Sequence, residues 1–434
     1  MKTKRTPKPL VCAALVMALC FGAALPALAA DLSEGTEASP AQAAITKVLK
    51  MPVGTDTPAI TFKFEFEALT ADGKPYESSP ANMPAIADKD IGFPSGSIAE
   101  TNPPAGVKIV RKESADIAAG VTWPHAGTYV YKVTETQSVT PAVGTGETVT
   151  YSKAEYEISV YVENGTNGLY VAYIEAHRTK TDAGGAEQGQ PKVDPTPGGD
   201  NKNYFCSQMI FTNEYAKTNG GTDPKDPADT VLSISKTVAG LGGNQTTKYF
   251  PFEVKVTKPA AGVAGTPAYT AYVAEGTNIV SPIGTEITAA ANVKTDGSGK
   301  QYIEFTSGKP LNVNLRHGQR LVFMDLEVGA SFTVTEAGDP DYKASYSAVL
   351  NGAAAQANSS DAGTALAYPK PGDTAYIGEN TNSADYTNTR NMTIPTGISV
   401  DSLPYVVLIG VALAAIAGFA VFKARKHAKQ RAMN

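Results

Sequence analysis

Apolar and polar residues alternate one by one through most of this chain. Thr61-Phe62-Lys63-Phe64-Glu65-Phe66 and Glu155-Tyr156-Glu157-Ile158-Ser159-Val160-Tyr161-Val162 are two examples, and similar runs recur between turn-forming residues. A period of two sends successive side chains to opposite faces of a strand. Helical periodicity is nearly absent, so the pattern predicts an all-β fold of short strands packed as immunoglobulin-like β-sandwiches. The length is too great for one sandwich. Residues 218–227 (Thr-Asn-Gly-Gly-Thr-Asp-Pro-Lys-Asp-Pro) read as a linker between a domain at 32–217 and a second at 228–392.

The two halves repeat one another in order. Ile45-Thr46-Lys47-Val48-Leu49 matches Ile234-Ser235-Lys236-Thr237-Val238, and Phe62-Lys63-Phe64-Glu65 matches Phe250-Pro251-Phe252-Glu253. Tyr131-Lys132-Val133-Thr134-Glu135 matches Phe332-Thr333-Val334-Thr335-Glu336, and Thr212-Asn213-Glu214 matches Thr387-Asn388-Thr389. A duplicated module is the natural reading.

Three polar residues per module fall on the apolar face. Lys47 shares a face with Ala43, Ile45 and Leu49, and Lys236 with Leu232, Ile234 and Val238. Tyr129, Tyr131 and Val133 turn Glu135 inward; Phe332 and Val334 do the same for Glu336. Phe211 and Tyr215 bracket Asn213, while Ala384 and Tyr386 lead to Asn388. A buried ammonium or carboxylate costs several kcal/mol unless it is paired, neutral or chemically consumed. Taken singly, each set reads as a buried ion pair with an amide neighbour, or as strand ends reaching solvent. Two ordered copies tip the balance towards chemistry.

The ends of the chain place it outside the cell. Lys2, Lys4, Arg5 and Lys8 precede the apolar run Leu10 to Leu25, and Ala27-Leu28-Ala29 supplies small residues for cleavage: residues 1–29 read as a secretory signal peptide. At the other end, Thr393-Ile394-Pro395-Thr396-Gly397 is followed by residues 403–422 without a charge, then by a basic tail at 423–434. About twenty apolar residues span a bilayer as one transmembrane helix, and the basic cluster stays cytoplasmic. Taking the nine basic residues and one acidic residue of the two ends from the totals of 37 and 42 leaves 28 against 41. That net charge of −13 argues against nucleic-acid binding. Cys12 and Cys20 leave with the signal, so Cys206 remains alone and no internal disulfide stabilises the exported part.

This ending resembles the cell-wall sorting signal of Gram-positive surface proteins, in the (Val/Ile)-Pro-Thr-Gly form found among some pilins. The resemblance implies that a sortase cleaves between Thr396 and Gly397 and passes Thr396 to peptidoglycan or to a neighbouring pilin subunit. The first-strand Lys, the (Tyr/Phe)-X-Val-Thr-Glu strand and the late Phe-Thr-Asn resemble the streptococcal-type, CnaB-like pilin domains that form intramolecular isopeptide bonds. That family implies bonds from Lys47 to Asn213 and from Lys236 to Asn388, assisted by Glu135 and Glu336. The first module matches more closely, with Phe211-Thr212-Asn213-Glu214-Tyr215, than the second, with Tyr386-Thr387-Asn388-Thr389-Arg390. A covalent clamp between first and last strands, if it acts as a disulfide does, contributes about 5 kcal/mol. The family also implies a surface lysine that accepts the next subunit. Lys202 is the candidate, with Lys192 second; Tyr368-Pro369-Lys370 resembles the Tyr-Pro-Lys of shaft pilins but lies in the other module.

No catalytic constellation competes with this reading. Gly297-Ser298-Gly299-Lys300 lacks the spacing of a phosphate loop and reads as a hairpin turn. The histidines His125, His177, His317 and His427 are scattered, no metal-ligand spacing appears, and no cofactor is implied. The expectation is therefore a structural pilin subunit and not an enzyme. The alternative is a wall-anchored adhesin that uses the same domains as a stalk and binds a host surface ligand.

Overall fold

The computed structural model describes residues 32–76, 80–198, 204–221, 223–226, 231–240, 247–282 and 292–390, and scattered helical positions between 408 and 423. The signal peptide, the motif Thr393 to Gly397 and most of 403–422 lie outside the described residues. Among the described residues, no helix is long and apolar enough to cross a membrane.

The described strands form two sheets in each half. In the first half, an eight-stranded sheet runs in spatial order Leu32–Glu34, Leu169–Lys180, Glu155–Asn164, Gly127–Thr140, Thr61–Ala71 and Lys74–Pro75, with two short strands attached off this path. It faces a five-stranded sheet ordered Ile98–Ala99, Val107–Glu113, Thr46–Pro52, Ile210–Lys217 and Glu147–Thr150. Alternation does what the sequence pattern implies: in Gly127–Thr140, Tyr129, Tyr131 and Val133 are buried while Thr128, Val130 and Lys132 are partly exposed. The inner faces close over Phe62, Phe64, Tyr156, Ile158, Phe211 and their neighbours. Each such apolar side chain stabilises the fold by about 1.5–3 kcal/mol.

The second half repeats the sandwich with a different division of strands. Its five-stranded sheet carries Pro310–Arg316, Tyr249–Thr257, Ser331–Glu336 and Leu366–Tyr368, with Ala375–Tyr376 at the side. The opposing nine-stranded sheet has Gln319–Phe323, Leu232–Ala239, Ser383–Arg390 and Tyr342–Val349 at its centre. The core here is a separate cluster around Phe250, Phe252, Val334, Tyr368 and Tyr386. In both halves the pairing between first and last long strands is parallel, whereas the other strand pairs among the described residues are antiparallel. Parallel neighbours need a long crossover, and here the rest of the module is that crossover.

The halves meet at a joint. The N–H of Val328 donates to the carbonyl of Lys217 at 2.9 Å, and Thr218 bridges to Glu327. Glu379 binds Lys217 Nζ through Oε2 at 2.6 Å and accepts the Asp56 N–H through Oε1 at 2.8 Å. Asn219 Nδ2 donates to the Glu379 carbonyl at 2.7 Å. Gly329, at φ +81°, packs where an added Cβ would run into Pro52 Cβ and lie 3.0 Å from the Val53 carbonyl oxygen. Only a glycine fits that combination of backbone and space.

Candidate functional site: two buried Lys–Glu–Asn centres

The parallel pair sets the first centre. Lys47 lies opposite Phe211, and Asn213 lies opposite Leu49. Positions two apart on a strand share a face, so Lys47 and Asn213 are diagonal neighbours pointing into the sandwich. The facing sheet brings Glu135, paired in register with Phe64, over both. Lys47 Nζ donates to Glu135 Oε2 at 2.7 Å, and Asn213 Nδ2 donates to Glu135 Oε1 at 2.6 Å. One carboxyl group thus spans the amine and the amide.

The second centre uses the same registers. Lys236 lies opposite Tyr386, Asn388 opposite Val238, and Glu336 opposite Phe252. Lys236 Nζ and Asn388 Nδ2 reach Glu336 at 2.7 and 2.6 Å, here both through Oε1. Each lysine also sits over a phenylalanine ring, 4.5 Å from the centroid of Phe62 in one module and 4.4 Å from that of Phe250 in the other. These rings fill the space that water would need.

Burial sets the protonation. The side chains of both Lys–Glu pairs are fully screened from solvent. Loss of hydration pulls Lys47 down to about 8 against the attraction of Glu135, and Lys236 down to about 8 against that of Glu336. The same loss pushes the Glu135 and Glu336 carboxyls above their ordinary range. Both shifts narrow the gap between the two groups and make transfer of the proton from lysine to glutamate less costly than it is in water. A lysine that has given up its proton and a carboxamide bonded to the same carboxyl are a nucleophile and an electrophile held on one group.

The centres differ at the amide oxygen. Asn213 Oδ1 accepts the Ser152 main-chain N–H at 2.7 Å. Ser152 is itself fixed: its Oγ donates to Asp182 Oδ1 at 2.6 Å, and its carbonyl accepts Gln137 Nε2 at 2.9 Å. In the second centre, Asn388 Oδ1 and Glu336 Oε2 have no hydrogen-bond partner among the described residues.

All six residues singled out in the sequence therefore meet in two groups of three. Ser152, Asp182 and Gln137 escape a reading of the sequence, because Ser152 acts through a main-chain amide in the irregular stretch before a strand. Asn382 escapes it too. It is buried beside the joint, where its amide group bonds Val231, Gly378, Asn380 and Asn351 and shapes the turn that presents Glu379. Of the candidate acceptor lysines, Lys202 lies outside the described residues, Lys192 is half-exposed and ion-paired to Glu175, and Lys370 is exposed. Cys206 is buried, and its thiol is pushed up by loss of hydration. Among the described residues, no cluster of His, Cys, Asp or Glu is arranged to hold a metal ion.

Comparison with known families finds a match for each half of the chain. Residues 43–216 match the family described as the Spy0128-like isopeptide containing domain. The first module is similar to that family across nearly all of its length. Residues 230–390 match a domain family of unknown function, DUF7601. No curated protein matches the chain. Among solved structures, the major pilin from Streptococcus pyogenes is 16% identical, with a TM-score of 0.30, over 80% of this chain and 99% of that one. The major pilin protein T3.2 of a further S. pyogenes serotype is 18% identical, with a TM-score of 0.28, over 83% and 100%. The pilus-presented adhesin Spy0125 (Cpa) is 18% identical, with a TM-score of 0.21, over 55% of this chain and 36% of that one.

Proposed function

We propose that the chain is a structural subunit of a Gram-positive surface pilus, stabilised by one self-formed isopeptide bond in each module and attached by a sortase at Thr396. The observation that carries this reading is the duplicated centre, with the same strand registers and one carboxyl group bonded to both lysine and asparagine in each of two separate cores. In each, the neutral lysine Nζ attacks the asparagine Cγ and a C–N bond forms. The glutamic acid passes a proton to Nδ2, the Cγ–Nδ2 bond breaks and ammonia leaves, while the carboxylate so formed takes the surplus proton from Nζ and is acid again. The reaction runs once per module, so this is maturation and not turnover. An ordinary buried ion pair would leave the same groups in contact but would release nothing.

The test is a digest of the purified chain read by mass spectrometry. The reading requires two branched peptides, one joining Lys47 to Asn213 and one joining Lys236 to Asn388, each lighter than its parts by one ammonia. Finding only linear peptides would reduce both centres to ion pairs. Assembly is tested separately, by heat-resistant ladders of surface extract on a denaturing gel. Ladders lost in Lys202→Ala assign the acceptor. A wild type that forms branched peptides and no ladder is the single-copy anchored adhesin instead.

A further inference from the structure

We propose that the Ser152 main-chain N–H is the oxyanion donor for closure of the first bond, and that Asp182 is the positioning residue that aims it. This rests on the isopeptide reading above and adds a component to it. When Lys47 Nζ adds to Asn213 Cγ, the carbon–oxygen double bond opens and negative charge develops on Oδ1. Ser152 N–H already points at that atom from 2.7 Å in a buried site. A fixed donor aimed at the developing charge lowers the barrier without rearrangement. A main-chain N–H can only donate, so it also fixes the amide orientation: oxygen to Ser152, Nδ2 to Glu135, the group that must supply the leaving proton. On collapse of the adduct the lone pair on Oδ1 re-forms the carbonyl double bond and ammonia departs with the proton from Glu135, so the donor is neither consumed nor deprotonated.

The aim is built by neighbours. Asp182 Oδ1 holds Ser152 Oγ at 2.6 Å and also accepts the Thr212 N–H at 2.8 Å, one residue before Asn213. A single carboxylate therefore ties the donor segment to the strand that carries the electrophile. Gln137, two residues beyond Glu135 on its strand, holds the Ser152 carbonyl. The second module lacks this arrangement among the described residues. Tyr156 pairs with Val133 as Tyr368 pairs with Val334, which makes Thr364 the counterpart of Ser152, four residues earlier in each case. Thr364 gives its N–H to the Asp361 carbonyl at 3.0 Å, and Asn388 Oδ1 has no donor among the described residues. The two bonds should then close at different rates.

The experiment follows both bonds in one molecule. The full chain is pulse-labelled during expression and sampled over time. Each sample is divided between limited proteolysis, which reports folding, and complete digestion, which counts both branched peptides. In the wild type the Lys47–Asn213 branch should close first, by roughly tenfold or more. Ser152→Ala and Asp182→Ala should slow that branch by roughly tenfold to a hundredfold after the module has become protease-resistant, leaving the Lys236–Asn388 branch unchanged. Asp182→Asn, which keeps an acceptor oxygen, should restore the rate. Closure of the first branch at wild-type speed in Ser152→Ala and Asp182→Ala overturns the proposal while the isopeptide reading stands. If Asp182→Ala never becomes protease-resistant, Ser152→Ala decides alone, since it removes one oxygen atom. A wild type without branched peptides overturns both.

Discussion

Asn388 lies two residues beyond Tyr386, the register partner of Lys236, as Asn213 lies two beyond Phe211, the partner of Lys47. A diagonal of this kind brings a long amine and a short amide to one point on the inner face, where a carboxyl from the other sheet meets them. Because each centre sits in its own core, the two should respond separately to substitution. Glu135→Ala should remove the Lys47–Asn213 branched peptide and leave the Lys236–Asn388 one; Glu336→Ala should do the reverse. Loss of both branches from either single change would disprove independent closure.

Asn213→Ala leaves Lys47 and Glu135 buried with no electrophile, and it should lower the unfolding temperature and hasten proteolysis. Loss of the proposed bond should cost about 5 kcal/mol on the analogy with a disulfide loop.

That same variant should acquire a pH dependence that the closed module lacks. Burial lowers Lys47 from its ordinary 10.5 to about 8, so between those values the unfolded chain binds a proton that the folded chain does not. Stability should therefore rise with pH across that window, by on the order of 3 kcal/mol. Glu135 acts in the opposite sense at lower pH. Its raised pKa lets the folded state keep a proton that the unfolded chain has released, so stability falls as pH climbs above 4.5. Thermal unfolding of variant and wild type from pH 7 to 10.5 checks the difference. Parallel curves would mean that Lys47 still titrates in the wild type and that the bond is open.

Gly329→Ala should spring the joint. Its φ of +81° disfavours a side chain by about 1 kcal/mol, and the new methyl group would meet Pro52. Small-angle scattering should report a more extended, more variable particle, and a protease should cut nearer to 218–227. An unchanged scattering curve would show that the halves are held by contacts elsewhere.

Thr396→Ala, or removal of residues 403–434, should shift the protein from the wall fraction to the membrane or the medium. Covalent wall attachment that survives both changes would eliminate the sorting signal.

Much of this is legible in the sequence because a strand has so few options. With a period of two, Lys47 has to share a face with Ile45 and Leu49, and Glu135 with Tyr131 and Val133, whatever the sheet order. What is not legible depends on partners far along the chain. The first and last strands join a five-stranded sheet in one half and a nine-stranded sheet in the other, a division made by extra strands such as Ala268–Glu275 and Gln301–Thr306. Ser152 contributes an amide that every residue but proline possesses, so its type signals nothing. The composition of 218–227 suggests a solvated spacer, yet Thr218 and Asn219 bond the second module, because Gly-Gly and Asp-Pro say nothing about what lies beside them.

The parallel registers also decide where a tethered molecule would give under tension. With both proposed bonds closed, a pull on the two ends runs from Lys47 directly to Asn213, along the backbone to Lys236, and directly to Asn388. The sandwiches between those points hang beside the load path and feel none of it. The slack between the two clamps is the stretch from Asn213 to Lys236, about 80 Å when fully drawn out, and among the described residues it is drawn in by the contacts of Lys217, Thr218 and Asn219 with Glu327, Val328 and Glu379. Those few non-covalent contacts would then act as a resettable spring, yielding first and re-forming when the pull is released, while nothing that holds the chain together has broken.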